Sequence, residues 1–556
     1  MARMTGAKYM VETMKEYGVT HVFYMPMIVT KALVEMEKVG IGRIMAHSEK
    51  AAAYMADGYA RAAHGPGICM AQNVGAANLA AGLQDPYLAC SPVIALTGRA
   101  ASMNQYRNHY QEVDHIQPFN AVTKYNAMVD STEQLPLLLR QAFRTATSGS
   151  PGPVHLDLQS SNGSAIMDVE ADLDVIVEPQ FARVPPFRGE PEIAMVRDAA
   201  RVLTSARRPI IVAGGGVASS GAQQEVVELA EMLSIPVATS LNAKGTIPDD
   251  HPLSVGVCGT YSRRCANQAV SEADLVFFIG SHTGSQVTTE WKIPAQGTRV
   301  IQLDIDPYEL GRSYPIEVGL QGDAKASLRK LIEVLEPMGG REDWVTHCQE
   351  FVRSWRNSVA DKVNSDELPM RPERLCKEIT DWLPSDGVLV TDTGHSGIWT
   401  GTMVDSKTPE QMFLRCAGSL GWAFPAALGA KCALPDRPVM CFTGDGGFWY
   451  HISELETAAR YGINTITVVN NNHSLNQEKQ GNERYYQGES GNIEELWVFP
   501  ETNFAKIAED MGCVGIRVED PNQVQSAIQE ALESNKPAVI DVISDIDGIA
   551  ERAWTP

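Results

Sequence analysis

The chain has 556 residues, of which 44% are hydrophobic and 21% charged, and a formal net charge of −22. That length exceeds what one hydrophobic core serves and suggests about three domains of ordinary size, and the composition excludes extensive disorder. The acidic balance, with no basic run to offset it, argues against nucleic-acid and anionic-membrane partners.

In chain order, the opening stretch MARMTGAKYMVETMKEYG spaces its apolar residues as a helix does and shows no secretory pattern. No apolar run reaches membrane-spanning length, so a cytoplasmic protein is expected. The first block, residues 1–180, predicts apolar strands at 21–24, 67–71, 93–97 and 154–158, alternating with helices. Within it HSEKAAAYMADGYARAAHG places Glu49 in the first turn of a helix, where an acidic residue also suits the helix dipole. The run AQNVGAANLAAGLQDPYLACSPVIALTGRA adds a glycine-bearing turn with Asn73, and YQEVDH at 110–115 is rich in ligand-bonding side chains. A Pro-rich connector at 179–191 closes the block.

The second block, residues 190–340, carries RPIIVAGGG, ADLVFFIG and RVIQLDIDP, each an apolar strand leading into a turn. A glycine triplet after a strand, with Asp304, Asp306 and the 322–324 segment, outlines a nucleotide site but does not define one. A charged helical linker at 341–368 leads to the third block, residues 369–556. Fold class is therefore α/β, with three doubly wound parallel-sheet domains. The first and third blocks could be divergent copies of one architecture.

The third block holds the most informative stretch, GDGGF followed by ISELETAARYG and TITVVNNN. An apolar strand enters the Gly444–Asp445–Gly446 turn, a helix follows, and a second strand ends at Asn472. Asp445 and Asn472 thus fall at the carboxyl ends of parallel strands, where open α/β sheets bind ligands. One carboxylate, one amide oxygen and one main-chain carbonyl suit Mg²⁺ shared with a phosphate. The absence of a following Gly-Lys-Ser/Thr excludes a Walker loop. The ten cysteines form no C-x-x-C pair and the twelve histidines no H-E-x-x-H, so buried free thiols are expected, with no zinc site.

Over nearly its whole length the chain resembles the thiamine-diphosphate enzymes of the acetolactate synthase type. The motifs that carry the resemblance are HSEKAAAYMADGYAR, TDTGHSGIW, AGSLGWAFPAALGA and the GDG-to-NN stretch, in family order. The resemblance implies a pyrimidine-binding, a central and a diphosphate-binding domain. It implies that Asp445, Asn472 and the Ser474 carbonyl hold Mg²⁺, and that Gly394, His395, Gly418, Gly444, Gly446 and Gly447 wrap the cofactor. Leu420 matches the apolar wedge beneath it. Glu49 matches the catalytic glutamate that bonds the aminopyrimidine ring, in apolar surroundings expected to favour the protonated acid. The activity implied is decarboxylation of a 2-oxo acid with ligation of the product to an aldehyde or ketone. Active sites would lie between subunits of a homodimer or homotetramer.

Departures from the family pattern cluster at the substrate pocket. His282 and Gln286 stand where the family has arginines, removing a bidentate carboxylate contact. Asn476, Gln477, Glu478 and Gly481 replace an apolar and aromatic wall, and Met27 and Ile28 stand where the family has glycines. With Asn73, Tyr110 and Gln111 these residues make up the candidate pocket. A lyase or decarboxylase of acyl-coenzyme A substrates, and a non-catalytic cofactor-binding homologue, remain as alternatives, and the central block holds FAD, ADP or nothing.

Overall fold

The computed structural model describes residues 2–556. Three six-stranded sheets, each wholly parallel, follow one another along the chain. The first runs, in spatial order, Gly42–Met45, His21–Tyr24, Gly67–Ala71, Val93–Arg99, Val154–Gln159 and Tyr125–Val129. The third runs Met412–Arg415, Val388–Thr391, Val439–Gly444, Ile466–Asn471, Ala538–Ile543 and Val514–Val518. Numbered within its own block, each sheet has the order 2-1-3-4-6-5, so the first and third blocks share one topology. The central sheet, Ser254–Val257, Val237–Thr239, Pro209–Ala213, Leu275–Ile279, Arg299–Asp304 and Val318–Gln321, has the order 3-2-1-4-5-6 of dinucleotide-binding folds.

Successive strand residues enter different cores, as a sheet covered on both faces requires. In the third sheet Val388, Val390 and Cys441 join one apolar cluster, while Leu389, Met440 and Phe442 join another. The first of these clusters also contains Phe23, Cys69 and Ala95 of the first sheet, so the two blocks share a core. Its centre is the crossing of helices Glu49–Ala63 and Ala423–Ala433. A Cβ at Gly58 would overlap the Ala426 carbonyl, and one at Gly429 the Met55 carbonyl, so the glycines set how closely the two helices approach.

One feature departs from the all-parallel expectation. Ala2–Thr5 pairs antiparallel with Glu170–Leu173, tying the two ends of the first block together. The linker forms the helix Glu342–Val363, whose Trp344 and Cys348 pack into the central core. No helix among the described residues is long and apolar enough to cross a membrane.

Candidate active site

Strands Val388–Thr391 and Val439–Gly444 are adjacent but separated in the chain by an edge strand, which makes a topological switch point. Asp392 and Asp445 immediately follow these two strands. Gly444 pairs with Asn470 on the next strand, which brings residues 470–474 to the same edge. His473 adopts φ 57°, a left-handed conformation uncommon outside glycine. Beyond that turn the Ser474 N–H donates to Asp445 Oδ2 at 2.8 Å, and Ser474 Oγ donates to Asn472 Oδ1 at 2.9 Å.

The Asp445 carboxyl is buried, and burial pushes it up to about 7 against the opposing pull of the Gly446 and Ser474 N–H groups. Among the described residues no cationic side chain pairs with it. A buried carboxylate beside an amide oxygen is a donor set that a hard divalent cation satisfies. Asn471, by contrast, is structural: its amide donates to Asp541 Oδ1 at 2.8 Å and to the Thr502 carbonyl at 3.0 Å.

Around this edge lies a cradle of small residues. Gly394 has φ 65° and opens helix His395–Met403, and a Cβ there would stand 2.6 Å from Gln477 Oε1. A Cβ at Gly446 would meet Leu475 at 2.5 Å, and one at Gly447 would meet Asp392 Oδ2 at 2.9 Å. Gly444 faces Ser396, and Gly418 faces open space. Burial pushes the His395 imidazole down to about 4, against the opposing contact with Asn476, so the ring is neutral at physiological pH. Leu420 is half-buried, between the buried Cys416 and Trp422.

Two buried carboxylates that sequence reasoning did not single out hold the Leu420 segment. Asp85, in the first block, accepts from the N–H groups of Ala417, Gly418 and Ser419 at 2.8, 3.1 and 3.0 Å. It also pairs with Arg61, which bonds Asp57 in turn, while Trp422 Nε1 donates to Asp57 at 2.9 Å. Asp392, pushed up to about 6 by burial, accepts from Gly421 N–H at 3.1 Å and from Thr443 Oγ1 at 3.2 Å. The one signal for Asp392 was its place straight after a strand in TDTG; Asp85 gave none.

Glu49 begins its helix behind Ser48, whose Oγ accepts from Ala51 N–H at 3.1 Å. Its carboxylate meets Asn78 Nδ2 at 3.2 Å, in place of the apolar wall expected, and a Cβ at Gly75 would overlap it. Among the described residues no hydrogen bond joins Glu49 to the Asp445 edge of the same chain.

The candidate pocket residues fall into separate places. Met27 (63% exposed), Tyr110 (80% exposed) and Gln111 line one open hollow with Gln72, Asn104 and His109. Asn73 adjoins it through its N–H to the Ser161 carbonyl at 3.1 Å, and both atoms of its buried amide lack a partner. Ile28 is fully buried in the core of the first block, so its side chain does not reach the hollow. Asn476 is buried and its amide donates to the Ile546 carbonyl at 2.5 Å, which makes it an anchor for the C-terminal tail. Gln477 and Glu478 are exposed beside it, and Gly481 lies on helix Lys479–Tyr486. Gln286 stands apart, on a wall of the cavity in the central block.

Three doubly wound sheets, with a buried carboxylate and an amide oxygen joined through Ser474 at the switch point of the third, form a ligand-binding α/β architecture. The chain belongs to the thiamine pyrophosphate enzyme family. Residues 4–117 match the N-terminal TPP binding domain, 196–331 the central domain and 392–542 the C-terminal TPP binding domain. It is 33% identical to a probable acetolactate synthase large subunit of Methanocaldococcus jannaschii, over 98% of this chain and 92% of the relative. It is 31% identical to the acetolactate synthase large subunit of Corynebacterium glutamicum, over 97% and 87% of the two chains. The isozyme 2 large subunit of Escherichia coli is also 31% identical, over 99% and 97%. The resemblance drawn from motifs is thus borne out over nearly the whole length, and the chain is a thiamine-pyrophosphate-dependent enzyme.

Proposed function

We propose that the protein decarboxylates a 2-oxo acid and ligates the product to an aldehyde or ketone, using thiamine diphosphate and Mg²⁺. The observation that carries this is the buried Asp445 carboxylate, without a cationic partner and beside Asn472 at the switch point. The cofactor, when bound, supplies a carbon nucleophile toward the 2-oxo group and an electron sink as carbon dioxide leaves.

Asp445, Asn472 and the Ser474 carbonyl would hold the metal and, through it, the diphosphate. Gly446 and Gly447 let the turn pack closely beside that group, because a Cβ at either would collide with Leu475 or with Thr443 and Asp392. Leu420 offers a half-exposed apolar surface that would lie beneath the cofactor, on a segment braced by Asp85 and Asp392. Glu49 would share a proton with the aminopyrimidine of the bound cofactor. Met27, Tyr110 and Gln111 would contact the substrate from the open hollow that they line.

The Glu49 carboxylate bonds Asn78 and not the clamp of its own chain, which favours a site completed by a second copy in a homodimer or homotetramer. The central cavity, walled by Gly215, Gly280, Asp304 and Gly322, is the place for the nucleotide part of FAD or for ADP. All ten cysteines are free, which suits a cytoplasmic location. The test is a panel of 2-oxo acids, with and without aldehyde acceptors, scored by mass spectrometry. Carbon dioxide release dependent on cofactor and Mg²⁺, with a ligated product, is expected; no release from any 2-oxo acid sinks the proposal.

A further inference from the structure

Eight of the ten cysteines are buried; Cys90 and Cys432 are half-buried. Cys90 lies between helix Gln84–Leu88 and strand Val93–Arg99 with φ 55°, a left-handed backbone. Its Sγ stands 3.8 Å from Nε2 of His282, which follows strand Leu275–Ile279 of the central block. Both residues line the same cavity proposed above for FAD or ADP, roughly 240 Å³, whose walls also take in residues of the first and third blocks, Arg415 representing the third, so reagents reach Cys90 where that nucleotide is absent. Thr283 lies on the same wall, 1% exposed, with a hydroxyl that has no partner. The cavity wall therefore combines a soft nucleophile, an adjacent base and an unspent polar group.

We propose that Cys90 and His282 act as a nucleophilic thiol–imidazole pair, and that Cys90 is a site of covalent modification by small disulfides and soft electrophiles entering this cavity. Burial alone pushes the Cys90 thiol up, but the hydrogen bond and charge of His282 outweigh it and leave the thiol below its ordinary value. The same contact pushes His282 up to about 9, with Glu309 and Asp304 acting in the same direction. Lys124 also faces Cys90, and Asp306 faces Lys124. Cys432 has no such partner, and burial pushes it up to about 12.

With a disulfide, the Cys90 thiolate attacks one sulfur, the original S–S bond breaks, and a new one forms to Cys90. The departing thiolate takes the proton from His282, so no further oxidant or reductant enters. With iodoacetamide a C–S bond forms and iodide leaves. Both reactions need the thiolate and access, and only Cys90 combines them.

The experiment treats the purified full-length protein with limiting iodoacetamide, and separately with oxidised glutathione, near pH 7, and locates the adducts by peptide mass mapping. Cys90 is expected to react at least about tenfold faster than Cys432, and to form the mixed disulfide first. His282→Asn should slow alkylation of Cys90 about tenfold and move its pH midpoint upward, with the circular dichroism spectrum unchanged. Cys90→Ser should abolish the fast phase and serves if His282→Asn fails to fold. Labelling of Cys90 no faster than of Cys432, a rate indifferent to His282 in a folded variant, or a fast phase that survives Cys90→Ser overturns the proposal.

Discussion

Asp85 Oδ2 accepts the main-chain N–H of Gly418 at 3.1 Å, joining a helix of the first block to the segment that carries Leu420, 333 positions further along the chain. The same carboxylate accepts two neighbouring N–H groups and pairs with Arg61. The segment that carries Leu420, the proposed apolar wedge beneath the cofactor, is thereby held by two blocks of one chain.

Asp85→Ala should leave three main-chain donors and the Arg61 guanidinium without their acceptor. The expected loss is about 3–5 kcal/mol of stability, as for breaking a buried ion pair, with weaker cofactor binding. Urea midpoints and calorimetric affinity for thiamine diphosphate measure both. A variant as stable and as tightly binding as the parent contradicts the bracing role.

Asp445→Ala removes the only carboxylate of the proposed metal site. Calorimetry should then show no Mg²⁺-dependent binding of thiamine diphosphate, while the fold persists because the removed charge was itself poorly solvated. Unchanged affinity would refute the clamp.

Glu49→Gln should bind the cofactor but lose turnover by about 10²–10⁴-fold, the usual worth of a positioned proton donor or acceptor. Release of carbon dioxide at the parental rate is the outcome that removes Glu49 from the mechanism.

Mixing Glu49→Gln and Asp445→Ala subunits tests where the site is assembled. If Glu49 of one copy faces the clamp of another, a mixed dimer has one intact site, and random association restores about a quarter of parental activity. A site built within one chain gives no recovery. Activity assays after co-expression, with each variant alone as control, separate the two.

His395 gives a pH signature. Its folded value, about 4, lies below the ordinary histidine value of 6.5, so acid protonates the unfolded chain first. Its contribution is complete above about 6.5, is lost as pH falls toward 4, and changes little below that. His395→Gln should therefore lose about 2–3 kcal/mol less than the parent between pH 7 and pH 4. Parallel urea-midpoint profiles for the two proteins would show that the ring is not held neutral.

What the sequence determined by itself was local. Strand and helix alternation, the helix starting at Glu49 and the Asn471–Asn472 strand end all follow from residues a few positions apart, whereas the turn expected at Gly444–Asp445–Gly446 is a strand end running straight into the short helix Asp445–Phe448. Motif order then led to the family and its cofactor, and the shared topology of the first and third blocks was also foreseen. The antiparallel ribbon of Ala2–Thr5 with Glu170–Leu173 was not, because pairing over that separation leaves no periodic trace. Only the tertiary structure decided that Asp85 and Asp392 brace the Leu420 segment, that Ile28 is core, that Asn476 anchors the tail and that Gln286 belongs to another cavity. Each of those roles depends on what a side chain meets after distant segments pack, since burial and hydrogen-bond partners are set by the assembled core and not by neighbours in the chain.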